Sequence, residues 1–133
     1  MSQKNQEFKF EEWARYAEED LAMASLALKE TGPPNQICFH AQQAAEKYLK
    51  GFLVFSGRAV EKNHLLRYLL ELCEEIDASF LELRDDAIYL TQFYIETRYP
   101  GDIPEFNPSE ATQAFEAALR IKEFVLLKIS NKT

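Results

Sequence analysis

Hydrophobic positions recur in steps of three and four along almost the whole chain, which is the spacing of helices with one apolar side. From about Phe8 to Lys29, the residues Trp13, Ala17, Leu21, Ala24 and Leu28 share a face, and Thr31-Gly32-Pro33-Pro34 closes the segment. A second helix is expected from an Asn35 cap to about Phe55, with Ala41, Ala44, Ala45, Tyr48, Leu49, Phe52 and Leu53 in a broad apolar band ended by Ser56-Gly57. Asn63 caps a short third helix, His64 to about Ile76. A fourth runs from about Ser79 to Arg98, carrying Leu83, Ala87, Leu90 and Tyr94 with Ile88 and Ile95 beside them, until Tyr99-Pro100-Gly101-Asp102-Ile103-Pro104 breaks it. The last has the clearest start: Asn107 as cap, Pro108 at the first helical position and Glu110 placed to reach back. Ala111, Ala114, Phe115, Ala118, Ile121, Val125 and Ile129 continue its apolar side.

No stretch alternates with period two, and the connections are short. The expected architecture is therefore all-α, an antiparallel up-and-down bundle of four or five helices forming one domain over residues 1–133. Trp13, Leu21, Tyr48, Phe52, Leu90, Tyr94, Phe115 and Val125 are its expected core. Phe8, Phe10, Phe80, Phe93 and Phe106 exceed what that core uses, which predicts an apolar patch covered by a second copy in a homodimer.

Composition narrows the class. Four glycines and five prolines are too few for the turns of a sandwich or barrel. Cys38 and Cys73 sit in apolar helical patterns without a CxxC or a Cys/His cluster, so they read as small buried hydrophobes in a reducing compartment, and neither a metal nor a cofactor is expected. The first residues lack the apolar stretch of a signal peptide, and no uncharged apolar run is long enough to span a membrane, which places the expectation in the cytoplasm. The net charge of −7 argues against a protein that simply coats nucleic acid. Its distribution is uneven: residues 36–68 hold five Lys/Arg against two Asp/Glu and both histidines, while residues 69–133 hold six against thirteen. The basic stretch either neutralises neighbouring helices or marks a local site for phosphate or another anion.

Candidate chemistry lies where polar residues occupy positions that packing would fill with apolar ones. His40, Gln43, Lys47 and Lys50 form one stripe on the second helix, either a solvated face or part of a site. Asp20 lies on the apolar side of the first helix, and a buried carboxylate needs a partner: His40, Lys47 or Arg98. Arg98, Tyr99 and Asp102 bring a guanidinium, a phenol and a carboxylate to the break after the fourth helix, suited to phosphate and to a base, though equally a helix end and a turn. Asp20, His40–Gln43–Lys47 and Arg98–Tyr99–Asp102 are expected to converge on one cavity, as a ligand site or as an ion-pair network tying three helices.

Four of these stretches, Trp13 to Leu21, Phe39 to Gly51, Lys62 to Leu66 and Thr97 to Asp102, together resemble the HEPN domain family, in order and over nearly the whole chain. The resemblance implies a helical bundle, commonly a homodimer, and a role in nucleotide or RNA chemistry. It also implies a minimal nucleotidyltransferase as partner, or the toxin of a toxin–antitoxin pair. Many such toxins cleave RNA with an arginine and a histidine four to six residues apart where two protomers meet. This sequence departs there: after Arg98, residues 103 to 105 are Ile103, Pro104 and Glu105. Arg58 and His64 match the spacing but span the connection between the second and third helices, outside the family's motif. His40 is the remaining, weak candidate for a catalytic acid or base. The resemblance therefore points to binding of a nucleotide, an RNA or a nucleotidyltransferase more than to catalysis, with a ribonuclease and a purely interacting bundle as the alternatives.

Overall fold

The computed structural model describes residues 9–60, 62–63, 65–94 and 98–131. Five α-helices follow one another: α1 (Phe10–Lys29), α2 (Pro34–Phe55), α3 (Leu66–Ile76), α4 (Arg84–Thr91) and α5 (Pro108–Asn131). A 3-10 segment, Ala78–Leu83, leads into α4, and a short one, Pro100–Asp102, lies before α5. No strand occurs among the described residues. The all-α bundle read from the sequence is the fold.

The central helix is α2, which packs on α1, α3, α4 and α5. Phe10 faces Phe55, Trp13 faces Gly51 and Asp20 meets Lys47, so α1 and α2 run antiparallel. Likewise Lys128 reaches Asp77 and Arg120 reaches Asp86, setting α5 antiparallel to the Ala78–Thr91 stretch. A T-shaped and tilted chain of rings, Phe52–Phe80–Phe124, joins α2 to α5 through the 3-10 segment at centroid distances of 4.5 and 4.9 Å.

Helix ends follow the sequence in part. Asn107 accepts from the Glu110 amide at 2.8 Å while Glu110 accepts from the Asn107 amide at 2.9 Å, a complete capping box. After α2, Gly57 adopts φ 82°, and Gly57 and Arg58 donate back to Val54 and Leu53, which glycine allows without a Cβ clash. Asn35 does not cap. Pro34 fits the first helical position, so α2 starts two residues earlier than an Asn35 cap would set it, and the Asn35 side chain instead donates to the Pro104 carbonyl (2.8 Å) and accepts from the Phe106 amide (2.9 Å). Asn63 accepts from the Leu65 amide in a turn ahead of α3, which begins at Leu66 rather than at position 64.

The expected fourth helix is two pieces, and it stops at Thr91, well short of Arg98. Asp77 caps the first piece, accepting from the Ser79 amide and hydroxyl at 3.0 and 2.6 Å. At the far end Thr91 and Gln92 side chains bond the Ala87 and Tyr89 carbonyls. The chain then turns and buries Phe93 completely, with its ring 5.2 Å from Tyr89 and 4.8 Å from Phe106. Burying a phenylalanine stabilises by about 1.5–3 kcal/mol, enough to outweigh a few more turns of helix.

The core holds Leu21, Tyr48, Phe52, Leu90 and Val125 as expected, but Trp13, Tyr94 and Phe115 are only half buried. Phe80 and Phe93 are fully buried and Phe10 and Phe106 pack against the core, so the phenylalanines do not supply the surface patch expected of them. Phe8, Ile95, Thr97 and His64 lie outside the described residues. Among the described residues the large apolar groups in solvent are others, most of all Leu26, Leu65, Tyr99 and Leu127, with Tyr16, Met23, Leu81, Ile88 and Leu126 less so.

Two substitutions test this packing. A Cβ on Gly51 would come within 2.9 Å of the Phe10 ring and 3.1 Å of Trp13 Cβ. Gly51→Ala gains about 1 kcal/mol of helix propensity but loses about 1–3 kcal/mol to overpacking, so urea titration should show net destabilisation. The Ser79 hydroxyl, then its amide and Lys128, hold the Asp77 carboxyl down at about 2 against an ordinary 3.8. Because folding lowers this pKa, its stabilisation is complete above pH 4 and fades as the pH falls through 2. Asp77→Ala should thus cost about 1 kcal/mol at neutral pH and progressively less in acid.

Candidate functional site

Asp20 is 8% exposed, on the side of α1 that meets α2. Each of its carboxylate oxygens has one partner: His40 Nδ1 lies 2.8 Å from Oδ1, and Lys47 Nζ lies 2.5 Å from Oδ2. His40 and Lys47 stand two turns apart on α2 with the small, fully buried Ala44 between them, so the carboxylate fits between the two donors. A carboxylate only accepts, so the His40 Nδ1–H is the donor to Asp20 Oδ1. The His40 and Lys47 side chains each keep 26% of their surface in solvent. The expected meeting of Asp20 with His40 and Lys47 is realised.

Gln43 and Lys50 belong to a second network. Gln43 donates to Gln42 Oε1 at 2.8 Å, Gln42 donates to Glu46 Oε1 at 3.4 Å, and Lys50 donates to Glu46 Oε2 at 2.7 Å. Gln42, Glu46 and Lys50 are almost wholly buried, and the Lys50 ammonium lies 5.7 Å from the Trp13 ring. Lys50 is therefore a buried structural cation and not a member of an exposed stripe. Gln42 and Glu46 escape a search for exposed polar stripes, although Gln42, Glu46 and Lys50 follow one another in steps of four, the spacing of a hydrogen-bonded ladder on one helix face. So does Glu18, which bonds the Tyr48 hydroxyl and pairs with Lys122 at 2.9 Å, joining α1, α2 and α5. Burial alone would raise the Glu18 carboxyl, but Tyr48 and Lys122 outweigh it and hold it below the ordinary value. Burial, then Glu18, pushes the Tyr48 phenol up.

The break after α4 is differently placed. Arg98 is half buried and makes no hydrogen bond or ion pair among the described residues. Tyr99 is 79% exposed, and the exposed Asp102 closes the Pro100–Asp102 turn through its amide, 2.8 Å from the Tyr99 carbonyl. No described bond joins these three to Asp20, His40 or Lys47. Two hydrogen bonds from Asn35 fasten the same connection farther on, at Pro104 and Phe106, to the start of α2. Arg58 is engaged with Glu75 at 3.3 Å, as a structural role for it requires. Burial pushes the Cys38 thiol up to about 12 and raises Cys73 as well, so both are unreactive free thiols. Among the described residues, no group of three or more His, Cys, Asp or Glu could hold a metal ion, and no helix is long and apolar enough to cross a membrane.

Comparison with known proteins supports the same frame. The model of the HEPN domain matches residues 10–129. Protein TT1696 from Thermus thermophilus has a crystal structure similar to this chain, with a TM-score of 0.78 and 32% identity over 90% of this chain and 97% of that one. The crystal structure of an archaeal HEPN homologue is similar too, with a TM-score of 0.76 and 27% identity over 92% of this chain and 99% of the other. A search of curated proteins gives no match. With the family model spanning all five helices and two solved structures sharing the fold over nearly their full lengths, this chain belongs to the HEPN domain family.

Proposed function

We propose that this protein is a nucleotide- or RNA-binding subunit, with Arg98, Tyr99 and Asp102 as the ligand-facing edge and the Asp20–His40–Lys47 cluster as a positively flanked wall. The observation that carries the reading is the state of Arg98: a half-buried guanidinium with no partner among the described residues, next to a tyrosine 79% exposed. A guanidinium whose planar N–H donors meet no described partner suits phosphate oxygens, and an exposed phenol ring suits the face of a base. The family resemblance supports a minimal nucleotidyltransferase as the protein it serves, in a toxin–antitoxin-like pair. Its buried, reduced thiols fit a cytoplasmic protein.

The test separates binding from stability. Short single-stranded RNA and nucleoside triphosphates are titrated into the full chain, followed by thermal shift and by affinity at two salt concentrations. Arg98→Ala should lower affinity about tenfold or more and flatten the salt dependence. Because Arg98 has no hydrogen bond or ion pair among the described residues, the ligand-free stability should stay within about 0.5 kcal/mol of the parent. Unchanged affinity would refute the reading. Lys47→Ala behaves differently: it leaves the buried Asp20 with one donor and should cost about 1–3 kcal/mol of stability with or without ligand.

A metal-independent ribonuclease is the second reading, favoured by the Asp20–His40 bond, the arrangement by which a carboxylate orients an imidazole for proton transfer. Cleavage of RNA in the presence of a chelator, abolished by His40→Ala with folding intact, is its expected signature. RNA left whole by the parent protein excludes it.

The homodimer is a further part of the proposal. Tyr16, Met23 and Leu26 lie exposed on one stripe of α1, as an interface between two copies would require. Light scattering should give twice the 15.4 kDa of one chain, and Met23→Glu should return the mass to that of one chain.

A further inference from the structure

We propose that the groove between the Ala78–Thr91 stretch and α5 docks a basic amphipathic helix from a protein partner. The groove, of about 310 Å³, has an apolar floor made by Leu83, Phe124 and Leu127. Leu127 is 61% exposed, an aliphatic side chain standing in solvent at the mouth. Glu82 and Asp86 form one wall, and Arg120 and Glu123 the other. Arg120 grips Asp86 with two hydrogen bonds, 3.0 Å from Nε and 2.9 Å from a terminal nitrogen, so the groove's own cation is spent on Asp86. Glu82 and Glu123 both line the groove, one from each side element, with no ion pair among the described residues.

An apolar floor between two open carboxylates selects its occupant. A helix presenting a leucine- or phenylalanine-sized anchor at the floor, with Lys or Arg on both flanks, satisfies both features at once. Nucleic acid is repelled by the two carboxylates. A second copy of this chain fits less well, because four of the five cations of its basic segment are engaged: Lys47 by Asp20, Lys50 by Glu46, Arg58 by Glu75 and Arg67 by Glu71. The groove lies on other helices than the Asp20 cluster, so the proposal stands independently of the nucleotide-binding reading.

The probe is a fluorescent helical peptide of leucine, alanine and lysine with all leucines on one face, compared with an isomer of the same composition whose leucines are scattered. Anisotropy should show saturable binding of the first peptide, about tenfold tighter than the second. Leu127→Asp, at an exposed position that folding tolerates, should weaken it at least about tenfold, and Glu82→Lys combined with Glu123→Lys should do the same. Arg98→Ala should leave it unchanged. No binding, equal binding of the two peptides, or indifference to Leu127→Asp overturns the proposal. So does a change in the protein's own light-scattering mass on Leu127→Asp, which would give the groove to a second copy.

Discussion

The close approach of α1 and α2 is the constraint from which the rest of this molecule follows. It is possible because the contact is lined by small residues, with Ala17, Ala24, Ala41, Ala44 and Ala45 fully buried and Gly51 pressed against Phe10 and Trp13. Only at that separation do the short side chain of Asp20 and the long one of Lys47 meet directly, with His40 on the other oxygen. A wider spacing would leave the carboxylate half solvated and its partners swinging in water. Backbone proximity therefore comes first and the charge cluster second. The apolar contact supplies the driving force, and the ion pairs supply orientation, since buried pairs of this kind roughly balance desolvation against attraction.

The same helix carries two polar systems that differ in kind. Gln42, Glu46 and Lys50 are sealed from water and bonded to one another, so their effect is to fix the register and rotation of α2 within the bundle. Asp20, His40 and Lys47 sit at the margin, where a quarter of the histidine and lysine side chains remains accessible. A polar group that keeps some solvent contact can exchange protons or accept a ligand, whereas a sealed one can only hold shape.

Much of this was legible in the sequence. The steps of three and four placed five helical stretches, and the Asn107–Glu110 pair located the start of α5, because both signals are local and the caps need no distant partner. What failed was non-local. The fourth helix was drawn through to Arg98 because nothing near Phe93 in the sequence says that its ring will be buried between Tyr89 and Phe106. Asn35 looked like a cap because caps are the commonest local use of asparagine, but its partners are about seventy residues away. In the candidate site, Asp20 with His40 and Lys47 was readable from helix faces alone. The burial of Lys50 was not readable there, since a stripe of lysines looks the same whether a glutamate one turn back draws it inward or water draws it out.

Asn35 also joins parts of the chain that lie far apart in sequence. Its two hydrogen bonds close sequence separations of 69 and 71 residues, the longest-range side-chain contacts described among the residues of the connection before α5. Closing a loop of that length carries an entropic cost that nearby contacts must offset beforehand. The two bonds hold the connection to the start of α2 at Pro104 and Phe106, beyond Arg98, Tyr99 and Asp102 in the chain. The joint is made by a neutral amide, so among the described residues the charged groups of Arg98 and Asp102 take no part in it.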